Sequence, residues 1–461
     1  MSFADDPAPA APPQPRTLLG LLATSNPFYV ISAALFLFGL RVSFGDPERD
    51  LDTWALTLGL AGYTLLLAAA ALLLVRFAVV WNDVRTVLLL VVLMFLATSV
   101  TFDELLVMNP NRGMILNLGG LAFSLLLSEG IMRTIRLQLP IGFKLPYYLV
   151  LGLFFLYPIA LVSVVRQPHS EDLLWGLFAF SSAAGLVFLT LLPAIRCGPE
   201  YLRNNGSPWP WPFYPWSLFV FLAVAVIGRS FLICKSYHLL DGTNITDTIF
   251  APYFLVPFGF ALAILTLELG LVARRRLTLM VGLALPVLLV VLAGIAHREH
   301  GVYREFLDLF TARLHGTPLF VTLLATSGFY LYAWLRGVPL ATEGLTAALA
   351  ALAFVEPETL AFGDLALRHR DLLALPVLLQ GALGLMKRDA WRLIAVASVG
   401  AAWLTGAIWR LYIAVRAEVS GLDYLVLSLL LLPVAVLMSL AKAGVFSRWI
   451  ERLRPPKNLA D

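Results

Sequence analysis

The chain has 461 residues, 60% of them hydrophobic and only 13% charged, with a formal net charge of +4. That composition leaves no room for a basic soluble domain, and no zinc finger or RNA-binding signature is present, so nucleic acid is excluded as a partner. Between Phe28 and Leu440 the apolar residues fall in blocks of about twenty, the length a helix needs to cross a hydrocarbon core about 30 Å thick.

Residues 1–19 include the run PAPAAPPQP at 7–15, which cannot bury a core and predicts a disordered tail. No basic segment and short apolar segment precede a cleavage site, so the first span is expected to act as its own insertion signal. Spans follow at 27–45, 54–79, 86–102, 113–135, 145–166, 173–196, 215–236 and 250–273. A second group lies at 277–296, 317–336, 340–355, 371–386, 390–416 and 421–441, with a possible subdivision of the 20–441 bundle near 276. Alternation with period two is absent, so the spans are helices, not barrel strands. The predicted fold is an all-α, polytopic transmembrane helix bundle of about fourteen spans. Segments 340–355 and 371–386 are the shortest; as re-entrant halves or a tilted hairpin they would leave about twelve. Residues 442–461 form a basic tail with Trp449 and Ile450 interleaved, suited to an anionic leaflet.

Charge sign orients the bundle, because Lys and Arg stay on the cytoplasmic side. With the N-terminus inside, inner segments hold Arg76, Arg85, Arg133, Arg136, Lys144, Arg196, Arg203, the run Arg274–Arg276, Arg336, Lys387, Arg388 and Arg392. Outer segments hold Asp46, Glu48, Asp50, Asp52, Asp103, Glu104, Glu171, Asp172, Asp241, Asp247, Glu356, Glu358 and Asp364. Both termini are therefore predicted cytoplasmic. In a bacterial source the membrane would be the plasma (inner) membrane.

Two loops stand out. The inner loop 198–216 carries five prolines and three tryptophans, either an aromatic belt on a stiff connector or a lid at the cytoplasmic mouth. In the outer loop 297–316, Tyr303, Phe306, Leu307, Phe310 and Leu314 make an apolar stripe opposite Arg304, Glu305, Asp308, Thr311 and His315. Such a helix is expected to lie flat on the outer membrane surface, as a strap or a gate. Ahead of it, His297 and His300 flank Glu299. A metal site would need a further convergent ligand, so no metal is assigned. Cys197 and Cys234 fall at opposite ends of the topology and are read as apolar core residues, not as a disulfide. No P-loop, nucleophile elbow, H-E-x-x-H or dinucleotide fingerprint occurs, and no cofactor is predicted.

Charges inside hydrocarbon are costly and so are candidates for function. Glu129 and Arg133 stand one turn apart and can pair. Arg229 lies deep in the seventh span and Glu268 in the eighth, at depths that differ by roughly 10 Å, so each needs a partner other than its neighbour. Arg41 and Arg410 sit near the outer ends of their spans, and with Arg229 they could grip an outward phosphate or carboxylate. Pro158, Pro193, Pro257, Pro286, Pro376 and Pro433 lie inside spans, where freed carbonyls line cavities in transporters. The substrate-binding candidates are thus Arg229, Glu268, Arg41, Arg410, Asp103, Glu104, His297 and His300.

The leading expectation is a transporter or flippase-like protein for an anionic or lipid-linked substrate, with membrane lipids as its surroundings. The outward set Asp46, Glu48, Asp50, Asp52, Asp103, Glu104, His297 and Arg298 resembles that of polytopic glycosyltransferases and polysaccharide ligases. The resemblance implies an enzyme acting at the outer face on a lipid-carried substrate, with an acid as base or metal ligand. A third reading is a scaffold or sensor without turnover.

Overall fold

The structure, a computed structural model, describes residues 27–44, 50–78, 81–165, 171–202, 213–238, 250–295, 301–314, 316–352, 355, 360–362, 365–367, 374–416 and 431–432. The helices are α1 (Phe28–Phe44), α2 (Asp50–Leu73, continued by a π-helical turn Leu74–Ala78), α3 (Trp81–Met108), α4 (Pro110–Thr134), α5 (Ile141–Val165), α6 (Glu171–Leu189) and α7 (Leu192–Cys197). After these come α8 (Phe213–His238), α9 (Val256–Val272), α10 (Arg276–Ile295), α11 (Gly301–Leu314), α12 (Pro318–Leu335) and α13 (Ala341–Leu352). Two short strands, β1 (Leu360–Phe362) and β2 (Leu365–Leu367), pair antiparallel, and α14 (Ala374–Lys387) and α15 (Ala390–Arg416) follow.

Nine helices among the described residues are long and apolar enough to cross a membrane, running from Trp54–Phe77 to Pro318–Leu335. The chain is therefore an integral, multi-pass helical membrane protein, as its composition predicts. The structure does not establish the expected count of about fourteen. Segment 340–355 forms a helix of 12 residues, too short to cross alone, and 371–386 one of 14. The region 356–370 was read as a plain outer loop; the β1–β2 pair within it was not expected. Span 421–441 apart from residues 431–432, both terminal tails, the centre of the inner Pro/Trp loop, His297 and His300 lie outside the described residues.

Local chemistry sets the helix ends. Asn109 caps α4 by accepting from the Arg112 amide at 3.4 Å, and Pro110 supplies a first residue whose missing donor costs nothing there. Thr317 and Pro318 do the same for α12. At the other end, α4, α9, α12 and α14 share one stop. A residue in the left-handed region (Arg136, Arg274, Gly337, Arg388) lets the next amide reach back five residues, as from Arg275 to the Gly270 carbonyl at 3.1 Å. These tight stops fold α4–α5, α9–α10, α12–α13 and α14–α15 into antiparallel pairs.

The chain divides into two compact units, Met1–Leu372 and Leu373–Asp461. In the first, α3 is the central helix, packed against α2, α4, α5 and α8. Helix α4 buries a stripe of small and polar residues, Gly113, Asn117, Gly120, Ser124 and Ser128, between α3 and α5. A Cβ at Gly113 would run into the Leu106 backbone, so the two helices meet there without side chains between them. Large apolar residues such as Leu35, Leu126 and Leu277 stay exposed, as lipid-facing surfaces require. In the second unit α14 packs along α15, and Arg392 reaches Asp389 at 3.2 Å.

The amphipathic helix forms as expected, but its apolar stripe turns into the protein, not onto the membrane surface. Phe306, Leu307 and Phe310 are buried. Trp175 stacks on Phe310 with centroids 5.7 Å apart, and Phe306 meets Phe254 at 4.9 Å. Aromatic edges and faces on α6 and the turn Pro252–Leu255 offer better-matched partners than headgroups do. Arg313 closes the stack, 5.3 Å over the Trp175 ring and 3.6 Å from Asp172. Cys197 is exposed, Cys234 is buried, and both are free thiols.

Candidate functional site

The names outer and inner are kept for the two ends of the bundle as the charge asymmetry assigns them. In the outer half of the first unit, Arg229 on α8 and Asp103 on α3 form a fully buried, bidentate ion pair. Arg229 Nη1 donates to Asp103 Oδ2, and Nη2 donates to Oδ1 at 2.8 Å. Nη2 also donates to the Phe154 carbonyl at 3.0 Å and lies 3.5 Å from the Ser99 carbonyl. The Phe154 carbonyl is available because Pro158, four residues on in α5, has no amide hydrogen to give it. Tyr237 ties down the same stretch of α5 by donating to the Pro158 carbonyl at 2.8 Å. Arg229 Nε and the neighbouring Ser230 hydroxyl are buried without a hydrogen-bond partner among the described residues.

This geometry corrects the placement of Asp103. The acid is not on an outer loop: α3 runs on to Met108 and Asp103 is 0% exposed inside it. The apolar run ends at residue 102, but a charge that meets its counterion can continue a buried helix. An acid accepting with both oxygens from Arg229 is not an outward-facing base. Glu104 shares the helix; its side chain lies outside the described residues.

A cavity of about 390 Å³ lies beside this pair, between α1, α2, α3 and α8. Its walls are leucines, among them Leu37, Leu40, Leu60, Leu93 and Leu96. Its charged lining residues, Arg41 and Lys235, are both cationic, and Thr101 and Ser236 add hydroxyls. Arg41 thus lines this cavity. Its companion there is Lys235; Arg229 and Asp103 are not among the lining residues. Arg410 lies on α15 of the second unit, and its side chain is outside the described residues, so the expected three-arginine cluster is not among the contacts described. Lys235 was missed because a lysine at a span end reads as an ordinary snorkelling residue. Its position six residues beyond Arg229, at the outer end of the same helix, was the available signal.

Glu268 also has partners of its own and does not meet Arg229. It is 0% exposed on α9, near the inner end. Arg336 grips it with Nε at 2.7 Å and Nη2 at 3.0 Å, and Arg196 with Nη2 at 3.1 Å and Nε at 3.4 Å. The Tyr332 hydroxyl donates to the same carboxylate and accepts from Arg196 Nη2 at 2.9 Å. The two arginines were read only as topology signals. That all three residues end at one depth was the clue to their meeting.

The pairing of Glu129 with Arg133 forms as expected, at 3.0 Å, but Glu129 has two further partners. Lys144 approaches at 2.7 Å and the Tyr148 hydroxyl donates at 2.6 Å, so the cluster staples α4 to α5. Among the described residues no three His, Cys, Asp or Glu side chains converge as a metal site requires.

What these residues define is a helical membrane bundle with one sealed ion pair, one cationic and leucine-walled cavity, and one arginine clasp. Neither family models, curated proteins nor solved structures match the chain.

Proposed function

We propose that this protein is a carrier of the transporter or flippase class, moving an anion borne on a hydrocarbon tail. The reading rests on the cavity beside α8: apolar walls suit a chain, and Arg41 and Lys235 suit a phosphate or carboxylate at its head. The buried Arg229–Asp103 pair, within a turn of lining residues Leu232 and Thr101, carries no net charge, so Arg41 and Lys235 set the sign of the cavity. In this reading the chain crosses the plasma membrane about fourteen times, 12 with 340–355 and 371–386 re-entrant, and both ends are cytoplasmic.

The test is transbilayer movement of a fluorescent prenyl phosphate in proteoliposomes, read by quenching from outside. The double variant Arg41→Gln with Lys235→Gln is expected to slow movement about tenfold, since each lost charge contact is worth on the order of 1 kcal/mol or more. An unchanged rate in a well-folded variant refutes the assignment. Orientation is checked separately with single cysteines at positions 206 and 300, which are expected to label from opposite sides.

A further inference from the structure

We propose that the inner end of α7, α9 and α12 is a binding site for the phosphate of an anionic phospholipid in the adjoining leaflet, with Arg196 and Arg336 as its grip. Three observations meet there. First, one buried carboxylate holds two guanidiniums, so the cluster carries an uncompensated positive charge. Glu268 uses only the Nε and Nη2 edges of each arginine. Both Nη1 groups are left without a protein partner among the described residues, on side chains 44% and 40% exposed. Two guanidiniums fixed against one carboxylate are pre-organised donors, and phosphate is the anion whose oxygens match such a fork.

Second, more cations stand beside the clasp. Gly198, two residues past Arg196, lies against Val272, two residues before Arg274. Arg274, Arg275 and Arg276 are exposed, and among the described residues no acid pairs with them. Counting Glu200 and Glu343 along with Glu268, this end still sets five arginines against three glutamates.

Third, Arg275 and Arg276 stand at the N-terminus of α10, where the helix dipole repels cations and attracts anions. A bound phosphate offsets that cost. Basic recesses between helices at a membrane face are suited to anionic headgroups. The site does not depend on the carrier reading or on which leaflet proves cytoplasmic.

The experiment is native mass spectrometry of the full-length protein, purified in detergent and supplied with equal phosphatidylglycerol and phosphatidylcholine. Wild type is expected to retain the anionic lipid about tenfold over the neutral one. Arg274→Gln/Arg275→Gln/Arg276→Gln, whose side chains are all exposed and whose fold should survive, is expected to lower that preference several-fold. Arg196→Lys with Arg336→Lys keeps the charge but loses the fork, and is expected to weaken retention as well. Equal retention of the two lipids by wild type overturns the proposal, as does an unchanged preference in both variants. Displacement of the lipid by millimolar inorganic phosphate would assign the site to a soluble anion and overturn the lipid.

Discussion

The outer and inner charge clusters solve the same problem in opposite ways. At Arg229 and Asp103 one cation meets one anion, both 0% exposed, with carbonyls of two helices as further acceptors. At Glu268 one buried anion meets two cations that remain partly exposed. The first is electrically closed, and its stability depends on both partners being present. The second is open: both arginines keep exposed faces, and either one can keep the carboxylate satisfied when the other leaves. A sealed pair fixes how α3, α5 and α8 are assembled, while an open clasp can exchange partners. The same residue types thus serve assembly at one end and leave donors available at the other.

The sharpest way to break the comparison is to remove one member of the sealed pair. Asp103→Ala or Arg229→Ala strands a charge in a dry core and is expected to cost about 3–5 kcal/mol, seen as a large fall in thermal midpoint or lost expression. Replacing both, as Asp103→Leu with Arg229→Met, should recover most of that loss, because no orphaned charge is left. A double variant no more stable than either single would mean the pair is not a closed unit. Next comes Glu268→Gln, which sets two guanidiniums together without a counterion. Water relieves part of the repulsion, so a smaller loss of about 1–3 kcal/mol is expected in the same unfolding assay.

These contrasts show which parts of the structure were legible in the sequence. The i, i+4 geometry of Glu129 and Arg133 and the stripe from Phe306 to Phe310 are local, and local spacing is enough to find them. So are most helix positions, because hydrocarbon length limits them. Asp103 was misplaced because an apolar window stops at its first charge, whereas the helix stops only when its backbone does. Its counterion is 126 residues away, and no period or spacing links the two. Helix α13 failed in the other direction. Its composition is apolar enough for a span, but the helix ends after 12 residues. Lys235 became visible only when four helices closed a cavity around it.

Single losses at the open clasp test its redundancy. Arg196→Gln and Arg336→Gln should each cost less than about 1 kcal/mol, since the remaining arginine and Tyr332 still satisfy Glu268. Raising salt should shrink these differences further while leaving the Asp103 and Arg229 losses unchanged, because ions screen exposed charges and not dry ones. If both clusters respond to salt alike, the division into sealed and open is wrong.

The smallest expected effect lies in the backbone that completes the sealed pair. Pro158→Ala restores an amide hydrogen four residues after Phe154, so the helix itself can claim the carbonyl that Arg229 Nη2 now uses. Stability should shift by about 1 kcal/mol or less, since one acceptor is exchanged between two donors. The informative reading is the coupling between positions, not the shift itself. In a double-mutant cycle with Arg229→Met, Pro158→Ala should stabilise more than it does beside arginine, because the carbonyl is then free for the amide alone. A cycle that closes with no coupling would mean the proline's freed carbonyl is not part of the arginine's shell, and that Asp103 alone holds the charge.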